Sequence, residues 1–271
     1  MQPIILAHGF IGYRKFMFWS MFDGVAEALR AKGYTALQPV VHPTASIEER
    51  AAQWVDFIEK ELGPDEAFHW IGHSMGGLDG RYIASPGGLN LGRRFLTLTT
   101  LSTPHHGSPL AERIPRWARI TLSGSARAGR FFFGGDQRRF LDCLAECRWD
   151  GLEQLSPEYI DENFNPRIAD HSQVRCFSYA GCVDYSRVTW KNVFRQPVWR
   201  FMKKINGPND GMVSVESAKW GVFKGVIPCD HGEMVGLRII PWAKQAFDHV
   251  DFFVKIAREL EDVEKEILNA E

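Results

Sequence analysis

A serine at position 74 lies in a pattern whose spacing suits nucleophilic chemistry. The run Gly72-His73-Ser74-Met75-Gly76 fits G-x-S-x-G, in which the serine occupies a sharp turn between a strand and a helix. Residues 68–71 are apolar strand formers, and apolar side chains recur at helical spacing over residues 78–83. G-x-S-x-G alone also arises by chance, but this placement between a strand-like and a helix-like segment predicts that Ser74 is a nucleophile.

A serine hydroxyl is a weak nucleophile near neutral pH, so it needs a histidine base and a carboxylate that holds the histidine. Three histidines lie well beyond Ser74 in the chain. His231 is the predicted base, because it leaves the carboxyl end of a predicted strand, where such sheets carry their sites. His171 precedes a predicted strand and so falls at the opposite edge. His249 lies in a helical pattern, which predicts a partly exposed helix residue.

Two aspartates are candidates for the acid. Asp210 stands in a turn between the last two predicted strands, and turn chemistry alone would account for an aspartate there. Its position in the chain, between Ser74 and His231, favours it as the acid. Asp184 is the alternative, because it also follows a predicted strand. Asp230 and Glu233 are too close to His231 in sequence to reach its far nitrogen, and we expect them to support the loop.

A glycine-bearing loop follows the first predicted strand, Ile4–Ala7. A strand that ends in His8-Gly9 can present the next backbone N–H to a substrate oxygen. We therefore predict that the N–H groups of Phe10 and Met75 form an oxyanion hole; the alternative is a plain strand-to-loop turn.

The aromatic run over residues 13–22 is expected to join a helix that ends at Lys32-Gly33, with its side chains in the core. The alternative is that Tyr13, Phe16, Phe18 or Trp19 lines an apolar pocket beside the glycine loop.

Strands and helices alternate along most of the chain. Strands are predicted over residues 35–41, 95–101, 174–181 and 222–229, and a helix after the N-cap Ser46, with Glu49 completing a capping box. A last helix is predicted from Trp242, with Ala246 on its apolar face. This alternation predicts an α/β fold with a parallel sheet and crossover helices.

Residues 109–148 interrupt the alternation. The residues Leu110, Ile114, Trp117 and Thr121 would share one helix face, with Arg113, Arg116 and Arg119 on another. Hinges are predicted at residues 123–125 and 134–135. This insertion is either a lid over the pocket or a helical cap with a solvated basic face, and amphipathicity fits both.

Length and composition bound the function. A chain of 271 residues with 45% hydrophobic residues and a net charge of -1 can form one domain, with no pull toward nucleic acid. No run is apolar enough to span a membrane. No signal peptide is visible, which favours the cytoplasm unless an export sequence was removed. The spacing of Cys143 and Cys147 predicts buried thiols, and a disulfide of Cys229 with Cys176 or Cys182 is the alternative. No cysteine spacing is typical of a zinc site.

Six segments together are typical of one family: ILAHGFIG, SIEERAAQ, GHSMGGLDGRY, STPHHGS, NDGMVSVESAKWG and DHGEMVG. In this order they resemble the bacterial true lipases, triacylglycerol acylhydrolases of the α/β-hydrolase fold. The resemblance implies one domain over residues 1–271, with about six mostly parallel strands and a lid at residues 109–148. It also implies Ser74, Asp210 and His231 as the catalytic triad, with Phe10 and Met75 as the oxyanion donors.

The resemblance also bears on cofactors. Some relatives hold a structural calcium near the catalytic histidine through an aspartate two residues after it, a position that Glu233 occupies here. The later ligand positions fall among apolar residues, so a calcium ion is doubtful and no cofactor is expected.

We therefore predict a triacylglycerol lipase that acts on medium- to long-chain esters as a monomer and touches lipid interfaces transiently through the lid. A short-chain esterase, a thioesterase, an acyltransferase and a non-enzymatic binding protein are the alternatives.

Overall fold

The computed structural model describes residues 1–13, 15–16, 19–146, 148–187, 192–193, 195–237 and 247–269. Within these residues, six parallel strands form one sheet in the order β4-β1-β5-β6-β7-β8, and β2 and β3 pair as a separate antiparallel hairpin. The predicted α/β class with a parallel sheet is confirmed. The strands are β1 Ile4–Ala7, β2 Lys15–Phe16, β3 Trp19–Ser20, β4 Ala36–Leu37, β5 Phe68–His73, β6 Phe95–Leu101, β7 Arg175–Gly181 and β8 Val222–Ile227.

Helices flank both faces of the sheet. The described α-helices are α1 Val25–Ala31, α2 Ile47–Glu61, α3 Met75–Ala84, α4 Arg116–Gly129, α5 Gly135–Ala145, α6 Asp150–Glu153, α7 Pro157–Tyr159, α8 Gln196–Asn206 and α9 His249–Leu268. Short 3₁₀ turns cover Gly92–Arg94, Arg130–Phe132 and Glu233–Val235, and a π turn covers Ile160–Phe164. No helix in these described ranges is both long enough and apolar enough to span a membrane.

Alternate side chains of β1 serve two different cores. Ile4 and Leu6 pack with α1 and α9 on one face, whereas Ile5 and Ala7 pack with α2 on the other. All four residues are fully buried. Such a two-sided apolar strand is typical of a parallel sheet covered by helices on both faces.

Local sequence signals account for several element ends. Ser46 caps α2 as predicted, since its hydroxyl accepts a hydrogen bond from the Glu49 N–H at 3.2 Å. The strand predicted over residues 35–41 is reduced to Ala36–Leu37, because Pro39 follows and supplies no N–H for a ladder. Of the last predicted helix, Trp242 and Ala246 lie outside the described residues; α9 begins at His249.

The prediction that residues 13–22 join a helix is wrong. This run instead contains the β2–β3 hairpin, and α1 begins only after Gly24, whose φ of 71° is left-handed. Aromatic residues favour extended backbone, which explains the difference. Of the aromatic residues proposed for the pocket, Phe18 and the side chains of Phe16 and Trp19 lie outside the described part of the chain.

Three further expectations need correction. Leu110 and Ile114 precede α4 rather than lie on it, because the helix starts behind Pro115, and the hinge predicted at residues 123–125 lies inside α4. His249 is buried rather than partly exposed. It opens α9, and its Nε2 donates a hydrogen bond to the Asp23 carbonyl at 2.7 Å.

Candidate active site

Ser74 stands at the tight turn between β5 and α3. Its φ of 55° and ψ of -129° are strained for a residue with a side chain. The turn fits only because its neighbours are glycines: a Cβ at Gly72 would lie 2.5 Å from the Gly76 carbonyl oxygen, and one at Gly76 would lie 2.5 Å from the Ala7 carbonyl oxygen. The hydroxyl group is thereby held at the carboxyl edge of the sheet, where Ser74 lines a cleft.

His231 and Asp210 meet at this same edge. The Nδ1–H of His231 donates to Asp210 Oδ2 at 2.7 Å, and Asp210 Oδ1 accepts the N–H groups of Met212 and Val213 at 2.8 and 2.7 Å. Asp210 is only 1% exposed. Its carboxylate is therefore oriented by the turn itself and orients the imidazole, which leaves His231 Nε2 for proton transfer.

Asp184, the alternative acid, makes other contacts. Its carboxylate is exposed and accepts the N–H of Ser186 at 2.9 Å. That hydrogen bond lowers the pKa of Asp184 below its ordinary value. The hydrogen bond to His231 is made by Asp210 instead.

His73 contacts His231 through a hydrogen bond and through its ring. Its Nε2–H donates to the His231 carbonyl at 2.9 Å, and the two ring centres are 4.5 Å apart. Burial holds the pKa of His73 well below its ordinary value. A neutral ring therefore lies beside His231.

The loop between residues 8 and 12 borders the cleft next to Ser74. The Gly9 carbonyl accepts His8 Nδ1–H at 2.9 Å and the Gly12 N–H at 3.1 Å. In a trans peptide the N–H of Phe10 points away from that carbonyl, and Gly9 and Phe10 both line the cleft. Met75, the other expected donor residue, is the first residue of α3, where backbone N–H groups have no partner within the helix.

A buried ion pair holds this loop, and our sequence reasoning did not identify it. Arg50 and Asp79 are both fully buried, with Nη2 and Oδ2 2.7 Å apart, and Trp54 Nε1 donates to the same oxygen at 3.0 Å. Arg50 Nη2 also donates to the His8 carbonyl at 2.7 Å. The available signal was the spacing of Arg50 on the apolar face of α2, three residues after Ile47.

The His8 ring completes this network. Its Nε2 accepts the Val41 N–H at 3.1 Å, while Nδ1 donates to Gly9, so both nitrogens are satisfied by the neutral tautomer. Burial, helped by the nearby charge of Arg50, lowers the pKa of His8 to about 3. The packing is close, because a Cβ at Gly12 would lie 1.9 Å from His8 Nδ1. The ring therefore acts as a fixed support for the loop.

The cleft over Ser74 has a volume of about 490 Å³. Ser74, Asp210 and His231 line it together with Phe10 and Tyr13. Most of the other lining side chains are apolar and include Met21, Leu110, Ile114, Leu152, Leu155 and Val198.

The segment around α4 and α5 carries exposed aromatic groups. Trp117, Phe131 and Phe132 are 70%, 71% and 86% exposed, and only Ser123 and Ala126 of α4 are buried. Residues 109–148 contain eight arginines and four acidic residues. The segment therefore combines an apolar surface with a positive charge.

Cysteines and acids do not form a metal centre in the described ranges, where no three His, Cys, Asp or Glu side chains make a group that could hold an ion. Cys143, Cys176, Cys182 and Cys229 are free thiols, so neither disulfide considered for Cys229 is formed. Cys147 lies outside the described residues.

The known proteins to which this chain is similar include triacylglycerol lipases. The chain is 33% identical over 236 residues to triacylglycerol lipase 2 of Saccharomyces cerevisiae, which covers 83% of this chain and 63% of that protein's length. It is 24% identical over 288 aligned positions to a triacylglycerol lipase of Pseudomonas fragi, which covers 96% of each. No protein-family model matches the chain.

The fold has a counterpart among solved structures. The crystal structure of Staphylococcus hyicus lipase matches with a TM-score of 0.75 at 18% identity, over 98% of this chain and 96% of that one. At this identity the match shows a common fold.

Proposed function

This chain is an enzyme of the α/β-hydrolase lipase family, whose members are lipases and esterases, and from that premise we propose that it cleaves carboxylic esters through an acyl-enzyme on Ser74. The observation that carries the proposal is the 2.7 Å contact between Asp210 and His231, in the same cleft as a serine held at φ 55°. A structural serine has no need of this strained backbone, whereas a nucleophile has to project from its turn.

The proposed reaction has two steps. Ser74 Oγ attacks the ester carbonyl carbon while His231 Nε2 takes the hydroxyl proton, and the same proton then passes to the departing alcohol. In the second step, water attacks the acyl-enzyme, His231 takes its proton and returns it to Ser74, and the carboxylic acid leaves. Asp210 holds the Nδ1–H tautomer throughout and stabilises the imidazolium.

The N–H groups of Phe10 and Met75 are the proposed donors to the negative oxygen that develops in both steps. The Gly9 carbonyl is held by His8 and Gly12, so the Phe10 N–H cannot rotate away without breaking two hydrogen bonds. Donors fixed before the reaction stabilise the developing charge without paying for reorientation.

The nucleophile is tested with Ser74→Ala. We expect kcat to fall roughly 10⁴-fold or more, because removal of the nucleophile of a triad abolishes the covalent route. A fluorophosphonate probe should label the wild type and not this variant. Ser125→Ala, at an exposed serine on α4, is the matched control and should keep both properties. Activity of Ser74→Ala close to the wild type would sink the proposal.

The apolar lining of the cleft supports a preference for medium or long acyl chains. A chain-length series of p-nitrophenyl esters should peak beyond butyrate. A peak at acetate would make the enzyme a short-chain esterase. Faster turnover of acyl thioesters, or acyl transfer to a competing alcohol, would assign the same triad to a thioesterase or an acyltransferase.

The segment from α4 to α5 is the proposed lid and contact with a lipid surface. Leu110 and Ile114, which lead into it, line the cleft, and Phe132 projects into solvent. Its excess of arginine favours an anionic surface. Binding to vesicles with anionic lipid should weaken with salt and with Arg116→Glu, and binding unaffected by either would contradict the electrostatic part.

A further inference from the structure

The loop that carries His231, residues 228–236, is organised by its neighbour Asp230. Asp230 Oδ1 accepts the N–H groups of Gly232 and Glu233 at 3.0 and 2.9 Å. The Glu233 carboxylate in turn accepts the Asp230 N–H at 3.3 Å, so the two acids bracket His231 in the manner of a capping box. The orientation of Asp230 therefore affects the backbone from which the base projects.

The other oxygen of Asp230 faces a cation from a different part of the chain. Asp230 Oδ2 accepts the Tyr185 hydroxyl at 2.8 Å and forms an ion pair with Arg195 Nη1. The same guanidinium donates to the Tyr185 hydroxyl at 3.3 Å. The Asp230 side chain is 6% exposed and that of Arg195 23%, so water screens this contact only in part.

Arg195 precedes helix α8, which also contacts the loop of Asp210, the proposed acid. Trp199 of α8 donates its Nε1–H to the Val183 carbonyl at 2.9 Å. Asn209, next to Asp210, donates its side-chain amide to the Trp199 carbonyl at 3.5 Å. The start of α8 thus contacts both loops of the proposed Asp210–His231 pair.

A calcium ion, which the family resemblance implies near this histidine in some relatives, does not fit these residues. Both oxygens of Asp230 already accept donors, and a guanidinium lies against the one that points out of the loop. Glu233 faces the Asp230 N–H. A divalent cation here would meet a fixed positive charge in place of a free carboxylate.

We propose that Arg195 is the cation that joins the His231 loop to α8, in place of the calcium ion that the resemblance implies for some relatives, and that it is a positioning residue for the base. This inference rests on the proposed function of His231. A guanidinium serves this role because its planar fork is charged at all relevant pH values and can contact a carboxylate and a hydroxyl group at once.

The test compares Arg195→Met with Arg200→Met, at an exposed arginine within α8. Arg195→Met should lower kcat roughly tenfold to a hundredfold with little change in KM for a short soluble ester, since a small displacement of a catalytic group has such effects. Arg200→Met should match the wild type. Equal kcat values for both variants would overturn the proposal.

The pH dependence of kcat/KM distinguishes a positioning role of Arg195 from a general loss of rigidity in the loop. The ionisable groups around His231 are Asp210, Asp230, Glu233, Tyr185 and the neutral His73, with Arg195 as the cation. Without Arg195, the charge of Asp230 is uncompensated and favours the imidazolium, so the acidic limb of kcat/KM should move to higher pH. Arg195→Lys should restore the limb in part, and guanidinium ion at low millimolar concentration should restore kcat of Arg195→Ala. An unmoved limb, or no rescue by either route, would contradict the proposal.

The absence of a calcium requirement can be tested without measuring enzyme activity. EDTA should leave the melting temperature of the wild type unchanged, added CaCl₂ should not raise it, and calorimetry should show no calcium binding. A loss of stability in EDTA that calcium restores would overturn the inference. If the wild type neither labels with fluorophosphonate nor cleaves esters, the proposed function fails instead, while these stability measurements still report on the cation.

Discussion

The loop over residues 8–12, which borders the cleft, and the segment from α4 to α5, which follows the cleft residues Leu110 and Ile114, are built in opposite ways. The loop over residues 8–12 is backed by Arg50 and Asp79, both fully buried and bonded to each other. In the segment from α4 to α5, the two helices share a small apolar cluster that includes Ala126 and Leu144. The ion pairs of this segment face water, such as that of Arg138 with Asp142, whose side chains are 57% and 41% exposed. One region is fixed by a buried charged network, and the other combines a small apolar cluster with ion pairs that face water.

This difference fits the task proposed for each region. Stabilising a developing oxyanion requires dipoles that are already in place, which a buried network provides. Covering a cleft or touching a lipid surface requires apolar side chains that can leave water, and Phe131 and Phe132 have that exposure. Substitutions in the first region should therefore affect stability and kcat, and those in the second should affect mainly the use of aggregated substrates.

The largest effect on stability is expected from Asp79→Asn. This change leaves the Arg50 charge buried without its partner, which costs about 3–5 kcal/mol of unfolding free energy. The matched control is Asp142→Asn, which removes the acid from an exposed pair and should cost less than about 1 kcal/mol. Chemical denaturation of both variants checks the contrast, and similar losses would mean that the two regions are not held differently.

A smaller effect, on rate, is expected from His8→Phe. The Gly9 carbonyl loses the His8 donor and keeps only the Gly12 N–H and a long contact with Arg50, so the Phe10 N–H is held less firmly. We expect kcat to fall about tenfold to a hundredfold with KM nearly constant. His8→Asn, whose amide nitrogen can stand near the position of Nδ1, should recover part of the rate. His106→Phe, at an exposed histidine, serves as the control. Unchanged kcat in His8→Phe would remove His8 from the support of the oxyanion hole.

Burial of neutral histidines predicts a pH dependence of stability. The pKa of His8 is lowered to about 3, and burial holds the pKa values of His73 and His105 well below the ordinary one. Below about pH 6.5 the unfolded chain binds protons that the folded chain does not, so unfolding free energy should fall as the pH falls toward 3. The slope is at most about 1.4 kcal/mol per pH unit for each histidine.

Denaturation at pH 7.5 and pH 5 checks this slope, and it should be shallower in His8→Phe than in the wild type. Equal stability of the wild type at both pH values would show that these rings are not kept neutral by the fold.

The smallest effect on stability is expected in the exposed segment. The double substitution Phe131→Ser and Phe132→Ser should change unfolding free energy by less than about 0.5 kcal/mol, because both side chains already face water. Activity on emulsified triacylglycerol should fall, while hydrolysis of a dissolved short ester should stay the same. Equal loss on both substrates would place these residues in the cleft rather than at a lipid surface.

Local patterns were sufficient for the parallel strands and for the turn at Ser74. Strand Phe95–Leu101 and the cap at Ser46 follow from strand propensity and capping chemistry, which act within a few residues. The hairpin within residues 13–22 was missed, because an aromatic run fits a helix core and a strand equally well. His249 was misjudged because its burial depends on a glycine, Gly236, that packs against its ring from another segment.

The amino-acid sequence by itself therefore determined the order of the six sheet strands and the turn at Ser74. It also singled out Asp210 and His231 as candidates, since chain order and local spacing carry that information. The tertiary structure alone decided which groups support them. Arg50 meets Asp79 and His8, and Arg195 meets Asp230, over separations of 29, 42 and 35 residues. These pairings depend on how helices pack across the sheet, which no local pattern records, and burial then makes each of them matter for charge and position.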